Sequence, residues 1–243
     1  MKALRLAMIA VLSLTIAMSS CGADMVPTSD SASALGDARE RENVERIFRE
    51  AYFFGDSTTA HLAVRGGIER ERVWSGQGST MLYTDVLSAS VFINGEMMTL
   101  WDAAAIYEPK LLIITIGASG GAGFLGEARF KQIYRSLIEK VSASSPKTKI
   151  IVQSIFPLSD KSKKYYKKLT KDAVRTANDW IEDICREMGV PYLDTHSLLT
   201  DKNGYLKPHF QNDEYLHLTS AAYDVILGNV RAYIAQNIND FTA

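Results

Sequence analysis

The stretch Leu111-Leu112-Ile113-Ile114-Thr115-Ile116-Gly117 decides the fold. It is continuous, apolar and β-branched, and it ends in glycine. A strand that is half-exposed alternates apolar and polar residues; a strand covered on both faces does not, and such strands belong to parallel sheets with helices on either side. Working outward, Tyr52-Phe53-Phe54-Gly55 is a short buried run upstream, and Arg72-Val73-Trp74 is a weaker one. Downstream lie Lys149-Ile150-Ile151-Val152-Gln153-Ser154-Ile155 and Val190-Pro191-Tyr192-Leu193-Asp194. Helical patterns separate them: Met97 to Tyr107, Glu127 to Ala143, Tyr166 to Met188 with Gly189 as a C-terminal cap, and Ser220 to Ile238. Crossovers of this length suit right-handed parallel units. The expectation is an α/β chain, a three-layer doubly wound sandwich around a five-stranded parallel sheet, forming one domain over residues 46–243. In such sheets the active site lies beyond the carboxyl ends of the strands.

Composition narrows the function classes. The 243 residues carry 27 Lys+Arg against 28 Asp+Glu, a formal charge of −1, which argues against a nucleic-acid binder. With 47% hydrophobic residues the chain does not read as disordered. Two cysteines make neither a disulfide scaffold nor a four-cysteine zinc site, and no two histidines fall at metal-binding spacing. No metal and no cofactor is expected, and the domain is expected to be a monomer. The run Lys161-Ser162-Lys163-Lys164-Tyr165-Tyr166-Lys167-Lys168 reads as a solvated loop and helix start, whose functional use would be contact with anionic lipid or cell-wall polymer.

Residues 1–20 read as a targeting segment. Lys2 and Arg5 precede an apolar stretch from Leu6 to Ala17 that is too short to span a bilayer. Met18-Ser19-Ser20-Cys21 then resembles the lipobox of a bacterial lipoprotein, with Met18 where the pattern usually has Leu. The resemblance implies cleavage before Cys21, diacylation of its thiol, and an extracytoplasmic protein anchored in the bacterial cell membrane by its lipid. The formal charge would fall from −1 to −3, because Lys2 and Arg5 leave with the signal. Residues 21–45 are expected to be a flexible tether leading into a short solvated helix with Val44, Ile47 and Phe48 at helical spacing. Cys185 lies on the apolar stripe of a helix and is expected to be buried.

Two strand ends carry the chemistry. After the first strand comes Gly55-Asp56-Ser57-Thr58-Thr59-Ala60-His61. A hydroxyl there sits at a helix start, where backbone N–H groups favour a developing anion; Asp56 or Ser57 would equally serve as a simple cap. Ahead of the last helix comes Asn212-Asp213-Glu214-Tyr215-Leu216-His217-Leu218. One short loop can place an acid and a His together, so that the carboxylate holds the imidazole in the tautomer that accepts a proton.

Gly-Asp-Ser after the first strand together with acid-x-x-His-Leu before the last helix resembles the SGNH (GDSL-type) serine hydrolases. The resemblance covers about residues 50–240 and implies a flavodoxin-like fold and an esterase. It makes Ser57 the nucleophile, His217 the base and Glu214 the acid, with Asp213 the second choice because it stands four residues from His217. It makes the Ser57 amide part of the oxyanion hole, with Gly76 as the second-block glycine and Gly78 its fallback. Where the family has Gly-x-Asn-Asp, this chain has Gly117-Ala118-Ser119-Gly120, so Ser119 or the Gly120 amide must replace the missing Asn. Glu214 in place of the usual Asp is the second departure.

Gly117-Ala118-Ser119-Gly120-Gly121 also satisfies the Gly-x-Ser-x-Gly elbow of the α/β-hydrolases, with Asp194 and His217 completing a triad. An elbow needs its helix to start at once after the Ser, whereas helix is expected only from Glu127, so this reading is rejected. His61 could line the pocket; His196 follows the fifth strand with Asp194 beside it to cap or brace, and His209 has no acid at useful spacing. The expected activity is hydrolysis of carboxylic esters, with short acyl groups on carbohydrate or cell-envelope polymer favoured. The alternative is a catalytically weak member of the same fold, acting as a glycan- or ligand-binding surface lipoprotein.

Overall fold

A computed structural model describes residues 29–75, 85–88, 90–213 and 215–242. The signal segment, Cys21, Gly76, Gly78 and Glu214 lie outside the described residues. The chain divides into two units, Met1–Asp37 and Ala38–Ala243. Of the first, only the helical backbone from Ser29 is described; everything below concerns the second.

In chain order the elements are α1 (Ser29–Arg49), β1 (Ala51–Gly55), α2 (Ser57–Ala60), α3 (Leu62–Arg65), β2 (Val73–Ser75), β3 (Val91–Ile93), β4 (Glu96–Met98), α4 (Leu100–Tyr107) and β5 (Leu111–Thr115). They continue with α5 (Glu127–Ser144), β6 (Lys149–Gln153), α6 (Lys171–Met188), β7 (Tyr192–Leu193), α7 (His196–Leu199), α8 (Ser220–Gln236) and α9 (Asn239–Thr242). Five strands form one parallel sheet in the order β2-β1-β5-β6-β7. The expected five-stranded doubly wound sheet is therefore the observed one.

The period-2 rule of a strand explains the two cores. Phe53, Leu111, Ile113, Ile151 and Leu193 face a layer that includes α1 and α8. Phe54, Leu112, Ile114, Ile150 and Val152 face the opposite layer of α4, α5 and α6. Leu111 to Ile114 are all 0% exposed, which is why that run contains no polar residue. Each such side chain contributes roughly 1.5–3 kcal/mol on burial.

Three elements depart from the expectations. The helix expected from Met97 starts at Leu100, because Glu96–Met98 pairs antiparallel with Val91–Ile93. The turn is Asn94-Gly95, with φ of 53° and 90°, the left-handed pair that closes a two-residue hairpin. Thr99 then caps α4, its side chain accepting the Asp102 N–H at 3.1 Å. The helix expected from Tyr166 starts at Lys171 for the same reason: Thr170 Oγ1 accepts the Ala173 N–H at 3.1 Å. Finally, α1 starts at Ser29, inside the expected tether, and it is not wholly solvated. Val44, Ile47 and Phe48 are buried against the α8 layer, and Arg231 stacks 3.7 Å over the Phe48 ring while bonding Glu45.

The strand order 2-1-3-4-5, counted along the sheet chain, reverses direction between β1 and β5. That reversal opens a crevice at the carboxyl ends of these two strands. Gly55, Asp56 and Ser57 leave β1 there, and the Gly117–Gly123 loop leaves β5 beside them.

Candidate active site

Gly55 brings β1 and β5 close enough for the site to form. A Cβ at this position would stand 2.1 Å from both the Thr115 carbonyl oxygen and Thr59 Oγ1, so only glycine fits. The next residue, Asp56, is 3% exposed and caps the turn that carries Ser57. Its Oδ1 accepts the Thr58 N–H at 3.1 Å and the Thr58 hydroxyl at 2.8 Å. The Tyr223 hydroxyl donates to the Thr58 carbonyl at 2.7 Å, which ties this turn to α8. The helix that follows has only four residues, so local N–H groups rather than a long helix dipole supply the positive end at Ser57.

The acid-His loop is laced to itself. Asp213 Oδ1 accepts the backbone N–H groups of Tyr215, Leu216 and His217 at 2.8, 3.1 and 3.2 Å. Its other oxygen, Oδ2, lies 2.5 Å from His217 Nδ1. His217 Nε2 lies 3.3 Å from Ser57 Oγ, across 160 residues of sequence. One imidazole therefore bridges a hydroxyl and a carboxylate, with Asp213 and His217 each about a quarter exposed. The acid at Nδ1 is Asp213, the residue expected as second choice. The favoured Glu214 is outside the described residues, and the structure gives no account of its side chain.

Asp56 joins the first loop to the third. Burial pushes its carboxyl above the usual carboxylate range, opposed by the Thr58 bonds, by the Ser119 backbone N–H directed at it, and by the charge of His217. Asp56 and Ser119 are thus neighbours across the two loops. The Ser119 hydroxyl and the Gly120 N–H are the donors expected at that position. The glycines of this loop are required by its turns. Gly117 has φ of 134° and Gly120 φ of 76°, and a Cβ on Gly121 would meet the Gly117 carbonyl at 2.5 Å.

The remaining candidates fall into place. The Gly-x-Ser-x-Gly elbow does not form, because residues 118–125 are turns and α5 begins at Glu127. Asp194, the acid that elbow would need, instead caps α7, accepting the Ser197 N–H at 3.1 Å. His196 Nδ1 bonds the Ile155 carbonyl at 3.0 Å, and the His209 ring packs tilted against Phe210 with centroids 4.0 Å apart. His61 is the histidine whose position sequence reasoning underweighted. Its ring lies 4.6 Å from that of His217, and its Nδ1 is buried with no hydrogen-bond partner. Burial first, then the neighbouring His217 and Arg65, hold it below the ordinary imidazole value; Asp213 opposes them. Its place one helical turn after Ser57 was the available signal.

Among the described residues, no group of three His, Cys, Asp or Glu side chains converges as metal ligands would. No described helix is long and apolar enough to cross a membrane.

Comparison with solved structures supports the fold. A GDSL-like lipase from Bacteroides thetaiotaomicron superposes with a TM-score of 0.56 at 16% identity, covering 83% of this chain and 97% of that one. A lipase/acylhydrolase from Enterococcus faecalis gives 0.51 at 15%, covering 77% and 95%. A carbohydrate esterase of family 3 from Talaromyces cellulolyticus gives 0.52 at 14%, covering 78% and 98%. Among curated proteins none matches this sequence. The model of the GDSL-like lipase/acylhydrolase family matches residues 53–225, a span that runs from the strand before Ser57 into the helix after His217. The chain belongs to that family.

Proposed function

We propose that this protein is a serine esterase that hydrolyses carboxylic esters through an acyl-enzyme. The observation that carries the reading is the single imidazole of His217 lying 3.3 Å from Ser57 Oγ on one side and 2.5 Å from Asp213 Oδ2 on the other. Asp213 keeps the proton of His217 on Nδ1, which leaves Nε2 free to accept the Ser57 proton. Ser57 Oγ then attacks the ester carbonyl. The resulting oxyanion is held by the Ser57 N–H and the second-block glycine Gly76, completed by the Ser119 hydroxyl or the Gly120 N–H. The imidazolium returns its proton to the leaving alkoxide, and the acyl group stays on Ser57. Water, deprotonated by His217, releases the acid and restores the enzyme.

Short acyl groups on carbohydrate or on a cell-envelope polymer are the substrates we favour. What supports this is the lipoprotein-like segment ending at Cys21, which would place the domain outside the cytoplasm on a lipid anchor. Ser119 in the position of the family's Asn favours a second reading, a slow or inactive member that binds a glycan. Two reagents separate the readings. Covalent labelling by a fluorophosphonate and turnover of 4-nitrophenyl acetate, both abolished by Ser57→Ala, are the expected outcome. Activity that survives Ser57→Ala and disappears in Ser119→Ala overturns the nucleophile assignment. A folded wild-type protein inert to both reagents supports the binder.

A further inference from the structure

The lysine-rich segment 161–168 is not a remote solvated face; it is wedged between the two loops that build the site. On one side, the Ser159 N–H donates to the Tyr215 carbonyl at 3.1 Å, two residues from Asp213 and from His217. The Tyr165 ring packs 4.1 Å from the Tyr215 ring, and Tyr166 lies 6.2 Å from it. On the other side, the Lys168 carbonyl lies so near Gly123, in the Ser119 loop, that a Cβ there would come within 2.0 Å of it.

The surface this creates combines ammonium groups with partly exposed aromatic rings. Lys163, Lys164, Lys167 and Lys168 are exposed, and no acidic residue interrupts the run from Lys161 to Lys168. Tyr165 and Phe124 are 38% and 47% exposed. Lys164 lies 5.1 Å from the Tyr165 ring and Lys168 5.8 Å from the Phe124 ring. A concave surface lined by Lys161, Lys163, Lys164, Asn203 and Tyr205 together with Asp160 and Asp201 adjoins them, three ammonium groups against two carboxylates. Flat rings can cover the apolar face of a cyclic polymer unit, while the ammonium groups beside them meet its anions. A charge of one sign beside a catalytic cleft also raises the local concentration of an oppositely charged substrate.

We infer that this rim is a subsite for the anionic units of an acylated polymer, so that the enzyme prefers esters carried on a chain rich in carboxylate or phosphate groups. The inference rests on the proposed esterase reading and names its substrate class. A polymer is favoured over a lipid surface because the lysine segment packs, through Tyr165 and Tyr166, on Tyr215 of the acid-His loop, so that its charges border the loop that carries His217.

The test compares the wild-type full chain with a Lys163→Glu/Lys164→Glu/Lys167→Glu variant on three substrates: 4-nitrophenyl acetate, O-acetylated polygalacturonate and O-acetylated dextran. On the acidic polymer, the variant is expected to lose at least tenfold in kcat/KM, and raising NaCl from 20 to 200 mM to cost the wild type a comparable factor. Turnover of 4-nitrophenyl acetate and of acetylated dextran is expected to stay within about twofold. Equal losses on all three substrates, or no selective loss on the acidic polymer, overturn the inference. So does a wild-type preference for phosphatidylglycerol over phosphatidylcholine vesicles that the variant loses while its polymer kinetics are unchanged. If the wild type turns over no ester at all, the esterase reading has failed. Salt-dependent binding of unacetylated polygalacturonate, lost in the variant, then supports the rim as a polyanion site, and its absence overturns it.

Discussion

Replacing Asp213 by Asn tests the site at its most specific point. Asp213 divides its work between two oxygens: Oδ1 accepts three backbone N–H groups of its own loop, and Oδ2 faces His217 Nδ1. Asn has one oxygen to give. Three donors compete for it against one, so the carbonyl stays with the Tyr215, Leu216 and His217 amides and the NH₂ turns toward Nδ1. Nδ1 must then accept a hydrogen bond, which moves the imidazole proton to Nε2. Nε2 can no longer take the proton of Ser57, although every heavy atom is in place. A wrong-tautomer histidine in a serine triad costs about 10⁴ in kcat. At ~1.4 kcal/mol per decade that is roughly 5.5 kcal/mol of transition-state stabilisation. The assay is kcat on 4-nitrophenyl acetate together with the rate of fluorophosphonate labelling. A thermal melt within a few degrees of wild type would show that the loop bonds are kept. Glu214→Gln serves as the control and is expected to stay within about threefold. An Asp213→Asn variant that keeps a tenth or more of wild-type kcat, or a Glu214→Gln variant that loses three decades, refutes the assignment of the acid.

Three further outcomes are expected. Ser119→Ala should lower kcat by about 10² with little change in KM, the usual cost of one oxyanion donor; a loss under threefold would transfer the role to the Gly120 N–H. Gly55→Ala should destabilise the fold by at least ~2 kcal/mol, because the new methyl meets the backbone oxygen of Thr115 rather than a movable side chain. In a chain of this size that lowers Tm by about 4–8 °C in calorimetry, and an unchanged Tm would refute the close approach of β1 and β5. His61 is held low by burial and by its neighbours His217 and Arg65, with Asp213 opposing, so it binds fewer protons folded than unfolded. Stability should therefore fall as pH drops below the ordinary imidazole value, and His61→Gln should flatten that fall. Urea midpoints at pH 7.5 and 5.0 measure it, and parallel pH slopes for the two proteins would count against the half-buried ring with its unbonded Nδ1.

The strands and the turn that carries Ser57 were legible in sequence because each depends on local pattern. Leu111 to Ile114 must be apolar to lie between two helical layers, and Gly55 must be glycine to pass under Thr115. Local pattern also held the Asn94-Gly95 hairpin signal, but the apolar run of Met97 and Met98 drew the reading toward helix. Burial along α1 was half-legible: the spacing of Val44, Ile47 and Phe48 was visible, while the α8 surface that covers them is nearly 180 residues away.

The carboxylate was not decidable from spacing. Asp213 and Glu214 are adjacent, and both spacings can reach a histidine in one loop or another. The loop conformation chose, because the short Asp side chain closes a turn with its own following amides and so aims its second oxygen at Nδ1. The same holds for Ser119, which lies beside the buried carboxyl of Asp56, a neighbour 63 positions earlier that no motif links to it. Sequence alone determined the parallel sheet, which rests on burial period, and singled out Ser57 and His217 as candidates through the resemblance of two strand ends to a family's motifs. Only the tertiary structure decided which acid meets His217 and where the lysine segment packs, because each depends on how separate loops converge at the reversal between β1 and β5.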